Sequence, residues 1–115
     1  MDGSMINETL PFEIDVAMLD RMARTGVPHR VLDVREPWEI ARCRFEDSLH
    51  VPMREIPRNL ERLPQDENLV VVCHHGVRSL QVMAWLRAQG FERTTSLRGG
   101  INAWARQIDP SMPTY

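Results

Sequence analysis

Apolar and polar residues fall in blocks along this chain, and the period changes from block to block. Val70-Val71-Val72-Cys73 is an unbroken apolar run, the pattern of a strand covered on both faces, as in a parallel sheet. Leu80 to Gln89 then reads as a helix, with Gly90 placed to close it. Nearer the start, Asp15 is a good N-cap for a helix through Arg24, with Val16, Leu19 and Ala23 at helical spacing; Gly26 and Pro28 end it. Val31-Leu32-Asp33-Val34 predicts a strand, and Pro37 suits the first turn of a helix over Trp38 to Arg42. Leu49-His50-Val51 predicts a short strand stopped by Pro52. Ile56, Leu60 and Leu63 share one side of a helix expected from Pro57 to Leu63. Thr94 to Leu97 predicts the last strand, turning at Gly99-Gly100 into a helix over Ile101 to Gln107, and Phe12-Glu13-Ile14 is a candidate edge strand.

Strands alternating with helices predict an α/β fold with a mainly parallel central sheet flanked by helices. Such sheets bind ligands at the carboxyl ends of their strands, near a switch point. Cys73, Arg35 and Gly99-Gly100 all fall at such ends.

Composition narrows the picture without redirecting it. The chain has 115 residues, 43% hydrophobic and 26% charged, which suits one globular domain. That domain is expected over residues 6–107, with residues 108–115 as a proline-containing tail lying across the surface. A formal net charge of -2 leaves no electrostatic footprint for nucleic acid or an anionic membrane, and no apolar run nears the ~20 residues of a membrane span. Met1 to Met5 lacks the basic-then-apolar pattern of a signal peptide, and the two cysteines fit free thiols in a reducing compartment, the cytoplasm by default. Every basic side chain is arginine, which excludes a lysine Schiff base or lysine general base.

The chemistry concentrates in Cys73-His74-His75-Gly76-Val77-Arg78-Ser79, a short loop between the buried strand and a helix. A helix N-terminus turns unpaired N–H groups and its dipole toward negative charge, so a cysteine there is a candidate thiolate nucleophile inside an anion pocket. The other reading is a small buried residue at a strand end. Gly76 would allow a positive φ that curls the backbone around the sulfur. Arg78 would either hold an anionic donor or point outward to an acidic neighbour, and Ser79 would either reach the sulfur or, the favoured role, cap the helix. His74 and His75 are expected at the pocket mouth, where a protonated imidazole favours an anion. Adjacent ligands in one tight loop cannot surround a tetrahedral ion, so no metal and no cofactor is expected. Asp33 should face the interior and accept hydrogen bonds from loop amides or a side chain. Arg35 would hold substrate or pair with Glu36 or Glu39. Cys43 reads as a small buried residue at a helix end, the alternative being a resolving thiol, which would need disulfide reach of Cys73, and Trp38, Trp85 and Trp104 read as core.

Together these residues resemble a single-domain rhodanese, a rhodanese-like three-layer domain. The resemblance rests on Val31-Leu32-Asp33-Val34-Arg35-Glu36, on Ser48-Leu49-His50-Val51-Pro52, on the loop Cys73 to Ser79, and on Leu97-Arg98-Gly99-Gly100-Ile101-Asn102-Ala103-Trp104, in that order. Cys43-Arg44-Phe45 departs from the Gly-His-Ile that rhodaneses often carry there, which bears on local packing and subfamily more than on the loop. The resemblance implies a sulfurtransferase: Cys73 takes a sulfane sulfur from a donor such as thiosulfate, carries it as a persulfide, and yields it to cyanide, a thiol or an acceptor protein. Phosphatases and arsenate reductases share the fold, but have one more residue between cysteine and arginine than the four that separate Cys73 from Arg78. Val72 rather than histidine precedes the cysteine, which also argues against them. A non-catalytic binding module is the remaining alternative, although such modules typically lose the cysteine that this chain keeps.

Overall fold

A computed structural model describes residues 10–115, so the expected domain start at residue 6 and the segment Met1 to Met5 lie outside the described residues. Five parallel strands form one sheet in the order β1-β5-β4-β2-β3, with β1 at Glu13–Ile14, β2 at His29–Asp33, β3 at Leu49–His50, β4 at Asn68–Val72 and β5 at Thr94–Leu97. The described residues form four α-helices, of which α1 (Val16–Thr25), α2 (Pro37–Ile40) and α3 (Val77–Ala88) lie between strands and α4 (Gly100–Gln107) follows β5. Among the described residues, no helix is long and apolar enough to cross a membrane.

The layers follow from the pleat of β4, whose five residues are all buried. Leu69, Val71 and Cys73 pack on one face with Leu32, Ile56, Val82 and Leu86. Val70 and Val72 pack on the other with Val16, Leu19, Met22 and Ile101. Each valine shut from water on such a strand contributes about 1.5–3 kcal/mol, so the apolar run is what pins β4 to the centre of the sheet. After β3 the chain crosses back over β2 to form β4, and the cysteine loop opens where β2 and β4 end.

Local signals account for most boundaries. Asp15 caps α1 by accepting the Met18 amide at 2.8 Å, and Gly26 ends it at φ 76°. Pro37 sits at the start of α2, which stops at Ile40, shorter than the expected run to Arg42. The helix expected from Pro57 to Leu63 is instead a pair of 3-10 segments, Met53–Arg58 and Leu60–Arg62. Pro57 lies inside the first of these and has no N–H for an α-helical ladder.

α3 begins at Val77 rather than Leu80, so the cysteine loop is shorter than the periodicity implied. On α1 the buried face is Val16, Leu19 and Met22, and Ala23 is exposed. Trp38 and Trp85 are not core residues: they are 59% and 38% exposed, and Trp85 lines an apolar groove with Met53 and Ile56. Trp104 is half-buried and meets Phe45 edge-on at 5.0 Å.

Candidate active site

Cys73 is the first residue past β4, and the chain turns sharply there into α3. Gly76 makes the turn with φ 104° and precedes the first helical residue, so the opening amides of α3 face back toward the sulfur. The amides of Gly76 and Ser79 donate to Cys73 Sγ at 3.1 and 3.3 Å. The Ser79 hydroxyl lies 3.4 Å from the same sulfur and 2.8 Å from the Ser96 hydroxyl on β5. Cys73 is 1% exposed, so only a slender group reaching into the loop can touch Sγ.

The start of α4 clamps this loop from behind. The Ile101 and Asn102 amides donate to the carbonyls of Cys73 and His74 at 2.9 and 3.1 Å. A Cβ on Gly100 would collide with both carbonyls, and one on Gly76 would sit 3.0 Å from the Gly99 nitrogen. These contacts explain why glycine stands at both places: the backbones approach too closely for a side chain.

A lattice of charge occupies the other flank. Asp33 and Arg35 are fully buried and paired, with Arg35 Nη2 2.8 Å and Nε 2.9 Å from the Asp33 carboxylate. Arg35 also donates to the Cys43 carbonyl at 2.7 Å and to the Tyr115 hydroxyl at 2.9 Å. That hydroxyl in turn donates to Glu39 Oε2 at 2.8 Å. Both Glu39 oxygens hold Arg78, at 2.8 and 2.9 Å, and the Glu36 amide donates to Oε1 at 2.9 Å. The Tyr115 ring stacks on His74, with centroids 3.8 Å apart and planes 7° off parallel, and Trp38 meets the same ring edge-on at 5.8 Å.

Ionisation follows these contacts. Burial alone would raise the Glu39 pKa, but the Arg78, Glu36 and Tyr115 hydrogen bonds together hold it down to about 2. Tyr115 is pushed up to about 12, chiefly by burial. The Arg78 guanidinium is favoured further by its bond to Glu39. His74 is lowered, first by burial and then by the neighbouring His75, with Glu39 and Tyr115 opposing.

Several expectations change. Arg35 pairs with Asp33, and neither Glu36 nor Glu39 gives it a carboxylate; only the Glu39 carbonyl lies near, at 3.4 Å. Asp33 takes the side-chain alternative, accepting from Arg35 Nε and Nη2, and also accepts the Arg35 amide. Arg78 takes the ion-pair alternative, with Glu39 as its acidic partner. Ser79 does not cap α3, because it lies inside the first turn with its hydroxyl turned to Cys73 and Ser96. His75 is exposed, whereas His74 is half-buried under Tyr115 and biased toward the neutral form. Val77 is exposed just past the loop, and Cys43 is buried with its sulfur 4.0 Å from Arg35 Nη1.

Three participants escaped the sequence reading as members of this site. Glu39 entered only as a possible partner for Arg35. Ser96 had a signal, since Thr94-Thr95-Ser96-Leu97 is a fully buried strand made mostly of hydroxyl residues, and buried hydroxyls need partners. Tyr115 had none, lying 80 residues from the arginine it touches.

Known proteins match the fold that carries this site. The rhodanese-like domain family matches residues 15–107, nearly all of the described chain. The chain belongs to that family. A sulfurtransferase of Allochromatium vinosum is 40% identical over 94 residues, covering 82% of this chain and 88% of its own. A thiosulfate sulfurtransferase of Actinobacillus pleuropneumoniae is 31% identical, covering 72% of this chain and 77% of its own. Among solved structures, a rhodanese-like domain protein from Staphylococcus aureus superposes with a TM-score of 0.78 at 28% identity, covering 91% of this chain and 99% of that one. This rhodanese-like chain is therefore an α/β domain with a five-stranded parallel sheet, and its relatives are named as sulfurtransferases.

Proposed function

We propose that this chain moves a sulfane sulfur from thiosulfate or another donor, through a persulfide on Cys73, to a thiophilic acceptor such as cyanide, a thiol or a protein thiol. The observation that carries the reading is the pair of amides aimed at Cys73 Sγ, at 3.1 and 3.3 Å. They stabilise negative charge on the attacking sulfur and then on the terminal sulfur of the persulfide, so no separate general base is needed.

With thiosulfate, the Cys73 thiolate attacks the outer sulfur and the S–S bond breaks. Sulfite leaves with the bonding pair, and Cys73 becomes a persulfide anion. An acceptor thiolate or cyanide then takes the terminal sulfur and restores the thiolate. Within the loop from His74 to Ser79, Gly76 and Ser79 turn their donors to the sulfur, and Asp33 with Arg35 is linked to the loop through Tyr115 and Glu39 to Arg78. A reducing compartment such as the cytoplasm suits this cycle, and both cysteines are free thiols.

Mass spectrometry after incubation with a sulfane donor tests the proposal. The protein should gain one sulfur atom, lose it to cyanide, and gain none as Cys73→Ser. An unmodified Cys73 after exposure to thiosulfate and to an organic persulfide would overturn it.

A further inference from the structure

We propose that the donor preferred by this loop is an organic persulfide, R–S–SH, over doubly charged thiosulfate, a statement that rests on the sulfur-transfer reading above. Thiosulfate brings two negative charges to a sulfur that must itself be anionic to react. A site that selects it needs a cation at the loop with charge to spare. Arg98, just past β5 and beside Gly76, is 61% exposed and turned to Glu13 at 3.5 Å, and the two arginines of the charged flank are already committed. Arg35 is fully buried on Asp33. Arg78 is held by both oxygens of Glu39, at 2.8 and 2.9 Å.

The Glu39 partnership is not a loose surface contact. Glu39 is 3% exposed and takes two further hydrogen bonds, from the Glu36 amide and the Tyr115 hydroxyl, which fix its carboxylate in place. For Arg78 to swing onto a substrate it would have to leave that buried carboxylate without its cation, which is strongly unfavourable. His74 offers no replacement, since it stacks under Tyr115 and burial biases it toward the neutral form.

Apart from the exposed His75 and Arg98, the side chains around the loop that can meet an incoming donor are apolar. Val77, in the first turn of α3, is 68% exposed, and Leu80 one turn on is 38% exposed. Trp38, 59% exposed, packs against the edge of the Tyr115 ring that covers His74. These surfaces suit the organic group of a persulfide, and the two amides on Sγ suffice for the single charge passed between sulfurs. The step balances as Cys73–S⁻ + R–S–SH → Cys73–S–SH + R–S⁻. One S–S bond forms, one breaks, the proton travels with the transferred sulfur, and the leaving thiolate takes the bonding pair.

The test compares kcat/KM for thiosulfate with that for the persulfide of an N-acetylcysteine ester generated in the assay. Each value is divided by that donor's rate with free cysteine thiolate, which removes intrinsic reactivity. The wild-type protein should favour the persulfide by about tenfold or more. Glu39→Gln releases the charge of Arg78, so the ratio should move about tenfold toward thiosulfate through a lower thiosulfate KM. Adding Arg78→Met to Glu39→Gln removes that freed cation and should return the ratio to the wild-type value. Equal or better corrected use of thiosulfate by the wild-type protein overturns the proposal, and this measurement stands even if the variants do not fold. A double variant whose ratio moves further toward the persulfide than wild type also overturns it, because Arg78 would then be the thiosulfate clamp. If neither donor leaves sulfur on Cys73, the failure belongs to the sulfur-transfer reading instead.

Discussion

The two flanks of the Cys73 loop are built from different materials. On one side the sulfur faces backbone amides and the Ser79 hydroxyl, itself bonded to Ser96, held by close packing at Gly76 and Gly100. On the other, Asp33, Arg35, Glu39 and Arg78 form a charged lattice joined through Tyr115. The first flank places donors where charge appears during the reaction. The second neutralises its own charges and locks the strand end, α2 and the loop together. Substitutions in the lattice should therefore act mainly on stability, and substitutions in the cradle mainly on the reactivity of the thiol.

The sharpest way to break that contrast is Asp33→Ala. Arg35 is fully buried, so losing its carboxylate leaves a charge without a partner, at a cost of about 3–5 kcal/mol. Urea unfolding should show that loss. The fraction that stays folded should still alkylate at Cys73 within about threefold of the wild-type rate. A loss below about 1 kcal/mol would place the lattice among ordinary surface ion pairs and end the distinction.

Acid should reach the same lattice through Glu39. Its pKa is about 2 in the folded chain against 4.5 for the free side chain. The folded state thus binds the proton more weakly, so the Glu39 contribution is complete above pH 4.5 and disappears as pH falls through 2. The loss is on the order of 3 kcal/mol across that window. Stability measured against pH should fall less steeply for Glu39→Gln than for wild type between those limits. Parallel slopes would mean that Arg78 and Tyr115 do little for the carboxylate.

The same division explains which parts of the site were legible in the chain. The cradle is local: a buried apolar strand, a cysteine, a glycine and a helix follow one another in sequence, and each carries its own pattern. Fold class, strand β4 and the place of Cys73 could be read that way. The lattice joins positions 33, 35, 39, 78 and 115, and charge alone does not say which arginine takes which carboxylate. Asp33 and Arg35 are two residues apart and a strand end turns them together, yet Glu36 and Glu39 looked equally near in sequence. For a related reason, Ser79 takes the sulfur contact, one of its two expected roles, in place of the favoured cap. It is a good cap residue, and only the three-residue earlier start of α3 put its hydroxyl beside the sulfur. The 3-10 pair at Met53–Arg58 and Leu60–Arg62 shows that the chain can place Ile56 and Leu63 against the core without the α-helix that the spacing suggests.

The smallest effect lies within the cradle, at the two serines. Ser79 and Ser96 are both fully buried, with their hydroxyls 2.8 Å apart and Ser79 3.4 Å from Cys73 Sγ. When the sulfur is anionic, the Ser79 hydroxyl can donate to it while accepting from Ser96. Ser79→Ala alone confuses the result, because it leaves the Ser96 hydroxyl buried without a partner, at about 1–3 kcal/mol. Ser79→Ala combined with Ser96→Ala removes both hydroxyls at once and should be nearly neutral for stability. The amides of Gly76 and Ser79 stay in place, so the thiolate loses one donor of several. Alkylation of Cys73 at neutral pH should slow about fivefold to tenfold, equivalent to about 1–1.4 kcal/mol. An unchanged rate would reduce the serines to packing and leave the backbone amides to hold the sulfur without them. A stability loss as large as that of Asp33→Ala would make the cradle as structural as the lattice.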